Sequence, residues 1–248
     1  MSVMTAANRA SRTVRELALE IPGATRVFEK LGIDYCCGGG KSLQEACDTA
    51  CQPLDDVLRA LETAGWSPAS DRDWSPVPLA EVIAHIVKTH HSFTREEIAR
   101  LGALLEKVCS VHAGRHPELL EVRKQFQGLA QELSVHLMKE EMVLFPYIVR
   151  MEEARLQNDP VLPPPFGTVE NPVHMMMQEH DSAGEALRRM RQASQDYAPP
   201  TDACISYRTL YQALEGFESD LHQHIHLENN VLFPRAIEME DGKAAARR

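Results

Sequence analysis

The stretch His136-Leu137-Met138-Lys139-Glu140-Glu141-Met142-Val143-Leu144-Phe145-Pro146 decides how this chain is read, because it recurs. The second copy is His224-Ile225-His226-Leu227-Glu228-Asn229-Asn230-Val231-Leu232-Phe233-Pro234. Both follow H-x3-E-x2-V-L-F-P, 88 residues apart. His91 and His180 are 89 apart, and so are His85 and His174. A fixed offset of this kind marks a duplicated unit, here one helix pair copied onto another.

Positions i and i+4 share a helix face. His136 with Glu140, and His224 with Glu228, therefore each present an imidazole and a carboxylate to one side. His91 and His180 add one imidazole from each remaining helix. Four imidazoles and two carboxylates suit two metals, each held by two His and bridged by both Glu. Nitrogen and carboxylate donors with open positions favour non-haem iron, then manganese. A closed zinc site needs only four ligands and leaves the rest without a use. Glu141 is the rival of Glu140, and His90 of His91. The i+4 spacing and the repeat offset favour Glu140 and His91. Glu132 lies one turn before His136 and could bond a ligand or line an access path. Glu179, beside His180, is a weaker candidate for the same role.

Around these motifs the pattern is helical. Leu79, Val82, Ile83, Ile86 and Val87 recur at three and four, as do Leu119, Val122, Phe126, Leu129, Leu133 and Leu137. Met176, Ala183, Leu187 and Met190 continue it, then Leu210, Leu214, Phe217, Leu221 and Ile225. No period-2 strand is evident. Breaks fall at Gly114–Pro117, Asn158–Pro165 and Pro199–Asp202. The fold class is thus all-α, with an antiparallel four-helix bundle over 79–240. Pro146 and Pro234 are expected to kink or end their helices.

A small helical N-terminal domain is expected over 1–66, with a linker over 67–78 long enough for motion or domain exchange. Ser42 and Glu45 form a capping box, Pro53 opens a helix reaching about Thr63, and Gly32 ends the one before. Asp34-Tyr35-Cys36-Cys37-Gly38-Gly39-Gly40 then reads as an interhelical loop. The adjacent thiols of Cys36 and Cys37 in such a loop are expected to be exposed, mobile and able to take iron, sulfur or a nitrosyl group, or to form a disulfide with Cys47 or Cys51. Cys47 and Cys51 read as buried filling. Cys109 and Cys204 carry no readable signal. His222 and His226 read as a solvated face, His85 and His174 lie off the ligand face, and Met175–Met177 reads as core filling.

Composition narrows the function. Of 248 residues, 26 are Lys or Arg and 36 are Asp or Glu, a formal net charge of −10. That argues against nucleic acid as a partner. No apolar run approaches a membrane span, and no secretory signal is evident, so a cytoplasmic protein with reduced thiols is expected.

The pattern His91, His136/Glu140, His180 and His224/Glu228 resembles the hemerythrin-like domain. With Asp34-Tyr35-Cys36-Cys37-Gly38-Gly39 ahead of it, the chain resembles the repair of iron centres family of di-iron proteins (the YtfE/ScdA/DnrN type). The resemblance runs from about Val14 to Glu238. Hemerythrins proper use five histidines, whereas four match here. The triple glycine and Cys47 and Cys51 have no assignment in it. The resemblance implies two non-haem irons per chain, oxo- and carboxylate-bridged. It implies repair of iron–sulfur clusters damaged by nitrosative or oxidative stress, by iron donation or nitric oxide handling. Iron–sulfur proteins would be the clients, with nitric oxide or oxygen as small ligands and Cys36 and Cys37 contributed by the N-terminal domain. Two other readings are a nitric oxide or peroxide reductase fed by an external electron donor, and a sensor or store of oxygen, nitric oxide or iron. A monomer or homodimer fits each of them.

Overall fold

The computed structural model describes residues 9–64, 72–157, 159–160 and 164–242. The start of the expected linker, and Asn158 and Val161–Pro163 of the proline-rich break, lie outside the described residues. Contacts divide the chain into two units. One comprises residues 1–78 with 225–234, and the other residues 79–224 with 235–248. All regular structure among the described residues is helical, apart from an isolated bridge between Thr13 and Ser42.

In the first unit, α1 (Val14–Glu20), α2 (Ala24–Lys30), α3 (Leu43–Thr49) and α4 (Leu54–Thr63) are short. Isolated helices of that length are marginal in water, so caps and packing must hold them. The expected capping box is present. Ser42 accepts from the Glu45 N–H, and Glu45 bonds back to the Ser42 N–H at 2.9 Å. A second box, Thr13 with Glu16, opens α1. Val14, Leu17, Phe28, Tyr35, Leu43 and Leu61 close a common core. Gly32 adopts a positive φ of 65° after α2, which a side chain would strain. Cys47 is buried as expected. Cys51 is exposed, because it falls past the end of α3 in a left-handed conformation with φ 53°.

The remaining elements form four long rods, the last of which carries residues 225–234 of the first unit between two stretches of the second. The first is α5 (Leu79–Ile86), a π-helical turn at Val87–His91 and α6 (Ser92–His112). The next is α7 (Glu118–Lys139), a π turn at Glu140–Leu144 and α8 (Phe145–Gln157). Then come α9 (Glu170–Ala193) and a last rod of α10 (Ile205–Leu227), a π turn at Glu228–Leu232 and α11 (Phe233–Glu240). The prolines therefore do not end their helices. Pro146 and Pro234 each sit second in the helix after a π turn. The wider turn absorbs the missing N–H and the ring that would crowd the carbonyl four residues back.

Two carboxylates cap bundle helices in ways spacing did not reveal. Glu152 accepts the Leu79 and Ala80 N–H groups at 2.7 and 2.9 Å. Glu240 accepts the Val169 N–H and the Tyr147 hydroxyl, both at 2.9 Å. Free helix N–H groups need such acceptors. Cys204 stands exposed with its Sγ 3.2 Å from His112 Nε2, a pairing of residues 92 apart that no local pattern announces. Met176 is buried, whereas Met175 and Met177 are exposed, so only the middle residue of that run fills the core.

Candidate metal centre

The π turns bear directly on five of the six candidate ligands, His180 lying within the unbroken α9. His91 is the last residue of the first, and Glu140 and Glu228 are the first residues of the other two. His136 sits four residues before Glu140, and His224 four before Glu228, so the α-helical spacing of each pair is intact up to the turn. All six side chains are 0–3% exposed.

His91 Nε2 faces His224 Nε2 at 3.2 Å, and His136 Nε2 faces His180 Nε2 at 3.1 Å. Glu140 stands between the pairs, with Oε2 3.5 Å from His91 Nε2 and Oε1 3.4 Å from His136 Nε2. Glu228 joins both groups. Donor atoms of His91, Glu140, His224 and Glu228 lie within 4.8 Å of one another, and so do those of His136, Glu140, His180 and Glu228. The two carboxylates are shared and the imidazoles are divided two and two.

This arrangement fits a pair of cations. Neither Glu140 oxygen receives a hydrogen bond among the described residues, although both are buried. A buried carboxylate without donors is strongly disfavoured unless a positive charge compensates it. An imidazole nitrogen lies within 3.5 Å of each of its oxygens, and with the second imidazole of each pair it offers nitrogen donors to such a cation.

The rivals have other places. Glu141 turns away from the cluster and accepts from His91 Nδ1 at 2.7 Å and Arg95 at 2.9 Å. Glu179 does the same for His136 Nδ1 at 2.8 Å and also contacts Lys139. Burial pulls both carboxyls upward, but these bonds outweigh it and hold each below the ordinary carboxylate value. Glu179 is thus a partner of a candidate ligand, as its place beside His180 allowed, and Glu141 is one too rather than a rival of Glu140. His90 pairs with Asp220 at 3.0 Å and stacks on His224 with the rings 5° from parallel. Glu132 is exposed and makes no hydrogen bond to a candidate ligand among the described residues. It lines a surface pocket of about 450 Å³ with Asp181, Glu185 and Arg189.

The cysteine pair differs from expectation. Cys36 is buried and Cys37 half-buried, so the pair is not exposed as expected. Asp34 Oδ1 accepts from the N–H of Cys36 at 3.2 Å, the N–H of Cys37 at 2.9 Å and the Cys36 thiol at 3.4 Å. The hydrogen bond with Cys37 and then burial push the Cys36 thiol well up, so it stays protonated. The two sulfurs are 3.8 Å apart, and with Asp34 they form a third group of donor atoms within 4.8 Å.

Asn229 and Asn230 hold that loop within the first unit. Asn229 Nδ2 donates to the Cys36 carbonyl and Asn230 Nδ2 to the Tyr35 carbonyl, each at 3.1 Å. His226, expected on a solvated face, is instead buried, with Tyr35 packed against it at 5.4 Å between ring centroids. Burial pushes its imidazole down to about 4, and Nδ1 accepts from Asn230 at 2.9 Å. Gly39 explains part of the triple glycine. A Cβ there would meet Asn230 Oδ1 at 3.0 Å and the Tyr35 carbonyl at 3.2 Å.

Comparison with known proteins agrees with this geometry. Residues 82–236 match the hemerythrin HHE cation binding domain, and residues 10–65 match a domain of unknown function, DUF542. A probable iron-sulfur cluster repair protein of Haemophilus influenzae is 36% identical over 230 residues, covering 92% of this chain and 97% of its own length. The iron-sulfur cluster repair protein YtfE of Pectobacterium carotovorum is 36% identical over 229 residues, covering 92% and 98%. That of Edwardsiella ictaluri is 39% identical over 228 residues, covering 91% and 96%.

Proposed function

Because the chain belongs to the hemerythrin-domain family of iron-sulfur cluster repair proteins, we propose that it restores damaged iron–sulfur clusters with iron held at a carboxylate-bridged dimetal centre. His91 and His224 would hold one iron, and His136 and His180 the other. Glu140 and Glu228 would be shared between the two. The observation that carries this reading is Glu140, buried between two imidazole pairs with no hydrogen bond on either oxygen. Bound iron of this kind supplies releasable metal and open positions for a small ligand such as nitric oxide or oxygen.

The chain's own residues divide the remaining work. The histidines would give neutral nitrogen donors, and the two carboxylates would cancel part of the metals' charge. Glu141 and Glu179 orient two of them. Cys36, Cys37 and Asp34 form a separate donor set suited to accepting iron or a nitrosyl group, provided the thiols give up their protons to it. Glu132, in its acidic surface pocket, would guide cations. Clients would be iron–sulfur proteins damaged under nitrosative or oxidative stress in the cytoplasm. No helix among the described residues is long and apolar enough to cross a membrane.

The test is reactivation of an apo iron–sulfur enzyme by the iron-loaded chain. Wild type should restore activity in proportion to iron delivered, and His136→Ala and Glu228→Ala should not. Full restoration by those variants would remove the dimetal centre from the account.

A further inference from the structure

Each half of the centre has one histidine whose far nitrogen is tied to a charged pair, and the two ties match. His91 Nδ1 bonds Glu141, which bonds Arg95. His136 Nδ1 bonds Glu179, which bonds Lys139. In both, the cation lies on the same rod as the histidine, four residues on for Arg95 and three for Lys139. The carboxylate comes from a neighbouring rod, beside that rod's own candidate ligand: Glu141 follows Glu140, and Glu179 precedes His180. Each tie therefore joins two rods at the level of the centre.

Exposure rises outward along both. His91 is 0% exposed at the side chain, Glu141 27% and Arg95 48%. His136 is 3% exposed, Glu179 29% and Lys139 41%. The inner end is sealed and the outer end reaches water. An imidazole that donates Nδ1–H to a carboxylate is fixed in one tautomer and orientation, with Nε2 free to bind and made a stronger donor. A carboxylate whose second partner is a solvent-reaching cation is held by a contact that salt, or a competing acidic surface, can loosen.

We infer that Glu141–Arg95 and Glu179–Lys139 are two positioning latches that set how tightly His91 and His136 retain metal, one for each half of the centre. The inference rests on the ligand roles proposed above and adds a route by which iron is kept or given up. Opening a latch lets its imidazole rotate and its nitrogen leave the metal, while the second histidine and the bridging carboxylates stay in place. An acidic patch on a client that draws off Lys139 or Arg95 would loosen iron where it is to be delivered.

The test is the rate at which the iron-loaded full-length chain loses iron to excess ferrous chelator under reducing conditions. Glu141→Gln and Glu179→Gln keep size and shape but remove the charge. They should each release iron about ten- to a hundredfold faster than wild type. Lys139→Gln and Arg95→Gln should accelerate release by a smaller factor, and Lys139→Arg should behave as wild type. High salt should speed release from wild type and leave the Gln variants unchanged. The reduction potential of the centre should rise in both Glu→Gln variants, a shift that a merely structural role would not produce. Wild-type release rates and potentials in Glu141→Gln and Glu179→Gln would overturn the inference. Retention of both irons by His136→Ala would instead overturn the ligand roles beneath it, so the two failures are distinguishable.

Discussion

His136 Nε2 and His180 Nε2 face each other 3.1 Å apart. Two ring nitrogens from different rods are aimed at one small volume, and His91 and His224 repeat the arrangement at 3.2 Å. Glu140 lies between the two pairs. This geometry costs stability unless a cation occupies it, and that cost can be measured.

Removing the buried charge should therefore stabilise the metal-free chain. Glu140→Met should raise the melting temperature of the apo protein, by about 1–4 kcal/mol in free energy, because an apolar side chain replaces an uncompensated carboxylate. The same variant should gain no stability on iron addition, whereas wild type should gain with iron concentration. Thermal melts with and without iron decide it. Equal melting temperatures for the two apo proteins would mean that Glu140 is already compensated.

Gly39 should resist substitution. Gly39→Ala places a methyl against Asn230 Oδ1 and the Tyr35 carbonyl, and should destabilise the chain by about 1–3 kcal/mol. In an Asn230→Ala background the penalty should shrink, since one of the three obstacles is gone while the Tyr35 carbonyl and the Arg15 Cβ remain. Chemical denaturation of the four proteins in the cycle tests the coupling. Strict additivity would show that the contact with Asn230 is not what demands glycine.

Thiol labelling should rank the cysteines by burial. A neutral alkylating reagent should modify Cys51, Cys204 and Cys37 before Cys36, Cys47 and Cys109. Cys36 is both buried and held protonated by its bond with Cys37. A thiophilic cation added beforehand should protect Cys37, if Asp34, Cys36 and Cys37 act as one donor set. Peptide mass mapping reads the order. Cys36 labelled at the rate of Cys51 would restore the exposed, mobile loop.

How much of this was legible in the sequence depends on the range of the interaction. His136/Glu140 and His224/Glu228 were readable because i and i+4 share a face whatever else the chain does. The duplication then pointed to His91 over His90 through the offset with His180. Pro146 and Pro234 signalled a local disturbance but not its form, since a proline tells only which N–H is missing. The π turns that start at Glu140 and Glu228 resolve it. The burial of Cys36 and His226 was hidden, because it depends on Asn229 and Asn230 meeting a loop about 190 residues away. A Gly-rich stretch read by itself looks mobile. The carboxylates Glu152 and Glu240 likewise cap helices far from them in sequence, and no local pattern encodes that.

Acid should weaken the short helices. Glu16 and Glu45 lie below the usual value of 4.5 because each accepts the backbone N–H of its cap residue, and Glu20 because of Arg12. A carboxyl depressed on folding contributes stability that is present above its unfolded value and lost as pH falls through its folded one. Side-chain NMR titration should place all three midpoints under 4.5, and Thr13→Ala should move Glu16 upward alone. Midpoints at the unfolded value would mean the capping boxes do not persist in solution.

The central claim is that six buried side chains hold two irons. Elemental analysis after anaerobic iron loading, on wild type and on Glu140→Ala, tests it most directly. The account predicts two irons per wild-type chain and loss of that stoichiometry in the variant. Wild type without stoichiometric metal, or a variant that keeps both irons, would contradict it.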